Sequence, residues 1–384
     1  MMKERLKVRV GWSYNARYNT HHRPNGVDLV LGPLTPLARI NGKLDSFTFI
    51  KPGYDLIHAF NAIPLFSRTP FIVTFEDYCP RVPEDRYVGW LERRLRKSLI
   101  SDRCLAIVAM SEYALRKFRR QHQGCPDLAK LLAKTQVIYP AMAASVSDPK
   151  PAGDVLRLLF VGVDFMRKGG PAVLEAHRRL KARGIPVETT IVSSLRWSER
   201  DYIGPPDKKR CGAVLDSVTS TGVVHYPRLA HNDTMELMRR ADYLLLPTFH
   251  DTFGYVSLEA MSCGTLVVAT STCAQNEIVE HGRSGFLLDI ENDPAIGDWI
   301  WLYCQHRACY IDAYWRQIEK LTDQLVEILS VAWERRKDYE AMSAGAIRRV
   351  RERFNIDDAR DRLAPLYQIA VQRTATSPPL RFYR

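Results

Sequence analysis

The sequence predicts an α/β protein of two doubly wound, Rossmann-like domains facing a cleft. Three observations predict it. The chain has 384 residues, too long for one ordinary core. Apolar strand-like runs alternate with helix-period segments in both halves, as in parallel sheets covered on both faces. A small, polar, proline-bearing stretch, "AASVSDPKPAGD" (residues 143–154), separates the halves. It places a linker at about 141–154, a first domain over 1–145 and a second over 155–356.

In the first half, "LKVRVGW", "YDLIHAFN" and "PFIVTFED" read as strands. "EDRYVGWLERRLRKSLIS" carries apolar residues at helical spacing, and "CLAIVAMS" is a buried-strand run. "SEYALRKFRRQ" is a helix capped by Ser111, and "KTQVIYPAM" another strand. The second half opens with the strand "VLRLLFVGV" and the loop "DFMRKGG". A helix follows, with Pro171 in its first turn and Gly184 past its end. "PVETTIVSS" and "GVVHYP" are strands, and "NDTMELMRRA" is a helix with Asp233 as cap and Glu236 three positions on. The strand "DYLLLPT", the loop "FHDTFG", the helix "YVSLEAMSCG" and the strand "TLVVAT" complete the alternation. Residues 291–353 read as helical and aromatic-rich. Trp299, Trp301, Trp315 and Trp333 fit helix packing there, with a membrane- or acceptor-contacting face as the alternative.

Composition excludes several classes. No window approaches a membrane-spanning apolar run, and the charged N-terminus lacks a secretory apolar core. The eight cysteines are scattered, with no CxxC pair and no zinc-finger spacing, which predicts reduced thiols in a cytoplasmic protein and no metal site. A net charge of +12 fits nucleic acid, anionic lipid or a phosphorylated substrate. No nucleic-acid-binding signature accompanies the basic stretch 81–120, so nucleic acid is not an expected partner. The segment "WLERRLRKSLI" (Trp90–Ile100) leaves peripheral contact with an anionic membrane open, against the alternative of packing on its own sheet.

Two loops carry the chemistry. In "FVGVDFMRKGGP" a strand ends, Arg167, Lys168, Gly169 and Gly170 follow, and a helix begins. Free amides and the dipole at a helix start attract an anion, and glycines let it approach the backbone. Lys168 adds a point charge, so a phosphate group is the expected occupant and the loop is expected to be exposed. The same strand–loop–helix plan recurs in "HDTFGYVSLEA", with Gly254 at the turn. Asp251 lies where ligands of open α/β sheets bind. Glu259 falls among Val256, Leu258 and Met261, where a carboxylate needs a partner. A ribose diol supplies two adjacent hydroxyls. The two acids would then bracket a nucleotide whose diphosphate lies over the glycine turns.

These residues resemble family 4 of the retaining glycosyltransferases, which have the GT-B fold. The family has an acid-x7-acid pattern around a Phe-Gly step, then a Glu-Ala-x-x-x-Gly helix and an apolar strand. Asp251, Phe253, Gly254, Glu259, Ala260, Gly264 and "TLVVAT" match it, and "CAQNEIVEHGRSGFLL" resembles the next element. Lys168 matches the phosphate lysine, and "IVAMSEYALRKF" and "VIYPAM" resemble the end of the N-terminal domain. The first acid is Asp251 where the family usually has Glu. Val163 stands where an Arg is frequent, with Arg167 as its substitute. Glu76 and Asp77 stand where a His is frequent.

The resemblance implies transfer of a sugar from a nucleotide-diphosphate sugar to a hydroxyl acceptor, with retention and without metal or cofactor, in polysaccharide or glycolipid assembly. It implies that Glu259 holds the ribose and Asp251 the sugar. Arg167, Lys168, Gly169, Phe253, Gly254, Tyr255 and Val256 would line the donor, with Arg228 and Leu229 near the base. Gly26, Glu76 and Asp77 are acceptor-side candidates. A C-terminal helix, about 357–384, would cross back onto the first domain. The rival readings are a GT-B nucleotide-sugar epimerase and a non-enzymatic nucleic-acid- or membrane-binding module.

Overall fold

The computed structural model describes residues 5–11, 18, 24–32, 35–36, 47–50, 53–65, 67–81, 89–198 and 203–376. The chain divides into two compact units, residues 1–141 with 354–384, and residues 142–353.

In the first unit the strands are β1 (Leu6–Gly11), β2 (Val27–Gly32), β3 (Thr35–Pro36), β4 (Phe47–Phe49), β5 (Leu56–Phe60), β6 (Ile63–Leu65), β7 (Phe71–Phe75), β8 (Cys104–Ala109) and β9 (Thr135–Val137). Six of them form a parallel sheet in the order β2-β1-β5-β7-β8-β9, and β3, β4 and β6 make a small separate sheet. The central strands are apolar on both faces because helices cover both. Helix α1 (Gly89–Ile100) buries Leu95 and Leu99 in a core with Phe71, Phe75 and Ile107. Leu95, Leu99 and the partly buried Ile100 of the candidate membrane helix therefore pack on the unit's own sheet, while the side chains of Trp90 and Leu91 lie outside the described residues. Helix α2 (Glu112–Gln121) starts as the sequence predicts, with Ser111 accepting from the Ala114 amide at 3.0 Å. Helix α3 (Leu128–Ala133) precedes β9.

In the second unit the strands are β10 (Leu156–Val161), β11 (Val187–Val192), β12 (Val224–Tyr226), β13 (Tyr243–Leu246), β14 (Leu266–Thr270) and β15 (Gly285–Leu288). They form a parallel sheet in the order β12-β11-β10-β13-β14-β15. The order reverses between β10 and β13, and the two donor-loop candidates follow these two strands. A doubly wound sheet opens a crevice at such a reversal. The helices are α4 (Gly170–Ala182), α5 (Lys208–Ser217), α6 (His231–Arg240), α7 (Tyr255–Ser262), α8 (Gln275–Ile278), α9 (Tyr310–Glu334) and α10 (Tyr339–Arg353). Helix α11 (Ile356–Thr376) then packs in the first unit. There Leu363, Leu366 and Tyr367 join the core with Val8, Val10 and Ile72. Tyr367 Oη and Thr74 Oγ1 lie 2.6 and 2.8 Å from the two ring nitrogens of buried His58.

Three expectations change. Asp233 lies inside the first turn of α6, whose cap position is Ala230, so it offers charge to the helix start and no cap. Residues 291–309 are turns and irregular backbone with an isolated bridge between Asn292 and Trp299, and helix begins only at Tyr310. Gly26 has a left-handed φ of 77° and its carbonyl accepts from the Leu6 amide at 3.1 Å. It therefore sits at the amino ends of β1 and β2, opposite the edge where such sheets bind ligands, and it leaves the acceptor-side list. No helix among the described residues is long and apolar enough to cross a membrane.

Candidate functional site

The loop after β10 turns back at Gly169, whose φ of 75° is left-handed. A Cβ there would lie 2.0 Å from the Pro247 carbonyl oxygen, so only glycine lets the loop meet the end of β13. Lys168 is buried, contrary to the exposed loop the sequence predicts. Its stem passes Gly162, where a Cβ would come within 3.0 Å of Lys168 Cγ. Its ammonium donates to Asp251 Oδ2. The lysine and the first acid are thus one ion pair, with side chains 11% and 17% exposed.

Burial alone would raise the Asp251 carboxyl, but the Lys168 ammonium and the Arg167 guanidinium outweigh it and hold it below the usual carboxylate value. Burial pulls the Lys168 ammonium down, Asp251 opposes this, and Arg167 adds to it. Asp251 is thus held ionised between two cations. Arg167 itself is tied back, with Nη2 donating to Asp164 at 2.7 Å and Nη1 to the His250 carbonyl at 2.8 Å. Arg196 donates to the other Asp164 oxygen at 2.7 Å. Arg167 therefore braces the acid loop from behind.

Gly254 caps α7 with a φ of 91°. Gln275 holds this turn: its Nε2 donates to the Phe253 carbonyl at 3.1 Å, and its Oε1 accepts from Ser257 Oγ at 2.9 Å. Gln275 is wholly buried, and it went unmarked in the sequence although it lies in the matching "CAQNEIV". Glu259, one turn into α7, is only 3% exposed, and Oε1 lies 3.8 Å from His231 Nδ1. Phe253 and Tyr255 are buried, and Val256 is half-buried. Arg228 is exposed and Leu229 half-buried in the loop after the edge strand β12.

The aromatic segment forms the backing of this site. Phe249 stacks on Tyr314 at 4.6 Å between centroids and meets Trp299 edge-on at 4.6 Å. Tyr314 Oη donates to the Met166 carbonyl at 2.8 Å, so one side chain of α9 supports both loops. In the first unit Glu76 and Asp77 follow β7. Glu76 accepts from Asn61 Nδ2 at 2.9 Å and pairs with Arg81. Asp77 lies 3.3 Å from the Nζ of buried Lys117, which also sits 4.3 Å from the Tyr78 ring centroid. The structure thus groups Lys168, Asp251, Arg167, Gly169 and Gly254 around the β10–β13 reversal, with Glu259 on the adjoining helix.

The amides of Lys168, Gly169 and Gly170 donate to the Asp164, Met166 and Phe165 carbonyls, so the free amides expected at this helix start are already engaged. A doubly wound domain with a buried lysine–acid pair and a glycine turn at its reversal point fits the plan of a nucleotide-binding α/β domain. The structure of HepE of Anabaena in complex with UDP-glucose superposes with a TM-score of 0.58 over 95% of this chain and 100% of that one, at 15% identity. The structure of WaaG superposes with a TM-score of 0.55 over 94% and 99%, at 17% identity. The fold is that of the GT-B glycosyltransferases. Residues 156–301 match the family model described as "Glycosyl transferases group 1". The D-inositol 3-phosphate glycosyltransferase of Paenarthrobacter aurescens is 32% identical over 138 residues, 35% of this chain and 32% of the relative. The lipopolysaccharide glucosyltransferase WaaG of Escherichia coli is 26% identical over 194 residues, 47% of this chain and 48% of the relative. The matches span 32% and 48% of the length of these two curated relatives.

Proposed function

We propose that the protein transfers a sugar from a nucleotide-diphosphate sugar to a hydroxyl acceptor in glycan or glycolipid assembly, with retention and without a metal at the diphosphate. The observation that carries this reading is the convergence of Lys168 and Asp251 at the β10–β13 reversal, beside the helix that bears Glu259. Glu259 takes the ribose hydroxyls. Lys168 and the amides following Gly254 take the diphosphate, where negative charge grows as the sugar leaves. Asp251 orients the sugar. Without donor, Asp251 neutralises the lysine. With donor, the diphosphate competes for that ammonium and leaves Asp251 to the sugar hydroxyls.

A thermal-shift panel of nucleoside diphosphates and nucleotide sugars tests the reading. The matching nucleotide, at about 100 times its dissociation constant, adds about 2.7 kcal/mol of stability. Glu259→Gln weakens both the free diphosphate and the nucleotide sugar by roughly 1–3 kcal/mol, and Asp251→Asn keeps diphosphate binding while losing transfer. A panel in which no nucleotide shifts the transition rules the reading out. Reversal of the two variants' behaviour exchanges the two roles.

The positive charge at the diphosphate is supplied by the chain itself. Turnover after chelation is therefore expected to be unchanged by added magnesium or manganese. A chelated enzyme that is inactive and recovers with manganese contradicts this.

A further inference from the structure

Behind the acid loop, three chemically different ligand groups meet. His250, Cys273 and Asp298 are each over nine-tenths buried, and their donor atoms all lie within 4.8 Å of one another. His250 Nε2 is 3.9 Å from Asp298 Oδ1, and Cys273 Sγ is 3.9 Å from the same oxygen. Zinc bonds of about 2.0–2.3 Å to N, O and S in tetrahedral array set ligand atoms roughly 3.3–3.7 Å apart. Closing on an ion thus brings His250 Nε2 and Cys273 Sγ each about half an ångström nearer Asp298 Oδ1, and shortens their own separation, at most 4.8 Å, by up to about 1.2 Å.

We propose that these residues bind one zinc ion that fixes the donor loops from behind. A thiolate, a carboxylate and a divalent cation sum to zero charge, which suits an interior where unpaired charge is costly. The thiolate favours zinc over magnesium, calcium or manganese, and three protein ligands leave one position for water. The placement gives the ion a positioning role. His250 directly precedes Asp251, and its carbonyl receives Arg167. Cys273, with a left-handed φ of 53°, stands two residues before the Gln275 that clamps the Gly254 turn. Asp298 precedes Trp299, which packs on Phe249. The ion would join three separate supports of the site without touching the diphosphate, so the expectation about manganese stands.

The test uses full-length protein, stripped of metal and loaded with cobalt as a spectroscopic stand-in for zinc. One cobalt per chain is expected, with a near-ultraviolet thiolate-to-cobalt band and visible bands of tetrahedral intensity. Competing zinc should abolish them. Cys273→Ala should remove the near-ultraviolet band and lower cobalt affinity by at least about 100-fold, since even outer-shell changes cost 10- to 100-fold. Cys273→Ser serves the same comparison if the alanine variant misfolds. A folded wild-type chain with no thiolate band overturns the proposal, as does a band that persists in a Cys273 variant. Nucleotide affinity, measured in parallel, reports separately on the donor site.

Discussion

Lys168→Ala is expected to lower donor turnover by about a hundredfold or more, the scale of one lost transition-state donor. The structure adds a second consequence. Asp251 is mostly buried and pairs with this lysine, so truncation strands a carboxylate and should cost roughly 1–3 kcal/mol of stability as well. The two effects separate in a double variant. Lys168→Met with Asp251→Asn removes both charges, and should recover much of the stability while leaving turnover low. Unfolding curves and steady-state rates on the same samples decide it. An active Lys168→Ala enzyme would move the diphosphate role to Arg167, which would have to leave Asp164 and the His250 carbonyl to perform it.

Gly169→Ala is expected to destabilise the second unit by at least about 3 kcal/mol, because backbone strain and a steric collision coincide. Its φ is 75°, and the new Cβ would sit 2.0 Å from the Pro247 oxygen and 2.8 Å from the Pro247 carbonyl carbon. Gly184 is the control. It has nearly the same φ, 74°, with nothing within 4 Å of a Cβ, so Gly184→Ala should cost only the left-handed strain, roughly 1–2 kcal/mol. Equal losses in the two variants would mean that the close approach to Pro247 contributes nothing.

The alternation of apolar runs and helical periods was legible because both main sheets are parallel and covered, so their central strands, such as β7, β13 and β14, stay apolar throughout. Strand β2 was missed: "VDLVLG" runs along a sheet edge with half-exposed residues, and its period is too short to stand out. Helix α5 was missed because "KKRCGAVLDS" buries little beyond Cys211. Lys168, Asp251 and Glu259 could be picked out from residue type and glycine spacing. That Lys168 and Asp251 would meet depends on β10 lying beside β13, a pairing across more than eighty residues that no local pattern encodes. Arg167 looked like a phosphate ligand because its charge is visible and its tether to Asp164 is not. The grouping of His250, Cys273 and Asp298 was hidden for the same reason. Each comes from a different loop, and cysteine arithmetic detects only closely spaced ligands.

Tyr314 stacks on Phe249 and donates to the Met166 carbonyl, so one residue of α9 reads the position of both loops. Those loops are therefore not modular parts. A graft that imports residues 162–170 and 249–255 from a relative while keeping the native α9 would inherit the sequence of a donor pocket without its register. Exchange of specificity between such enzymes should succeed more readily when the segment from Asp298 to Tyr314 travels with the loops, making that helix and its approach a unit of inheritance together with the site it backs.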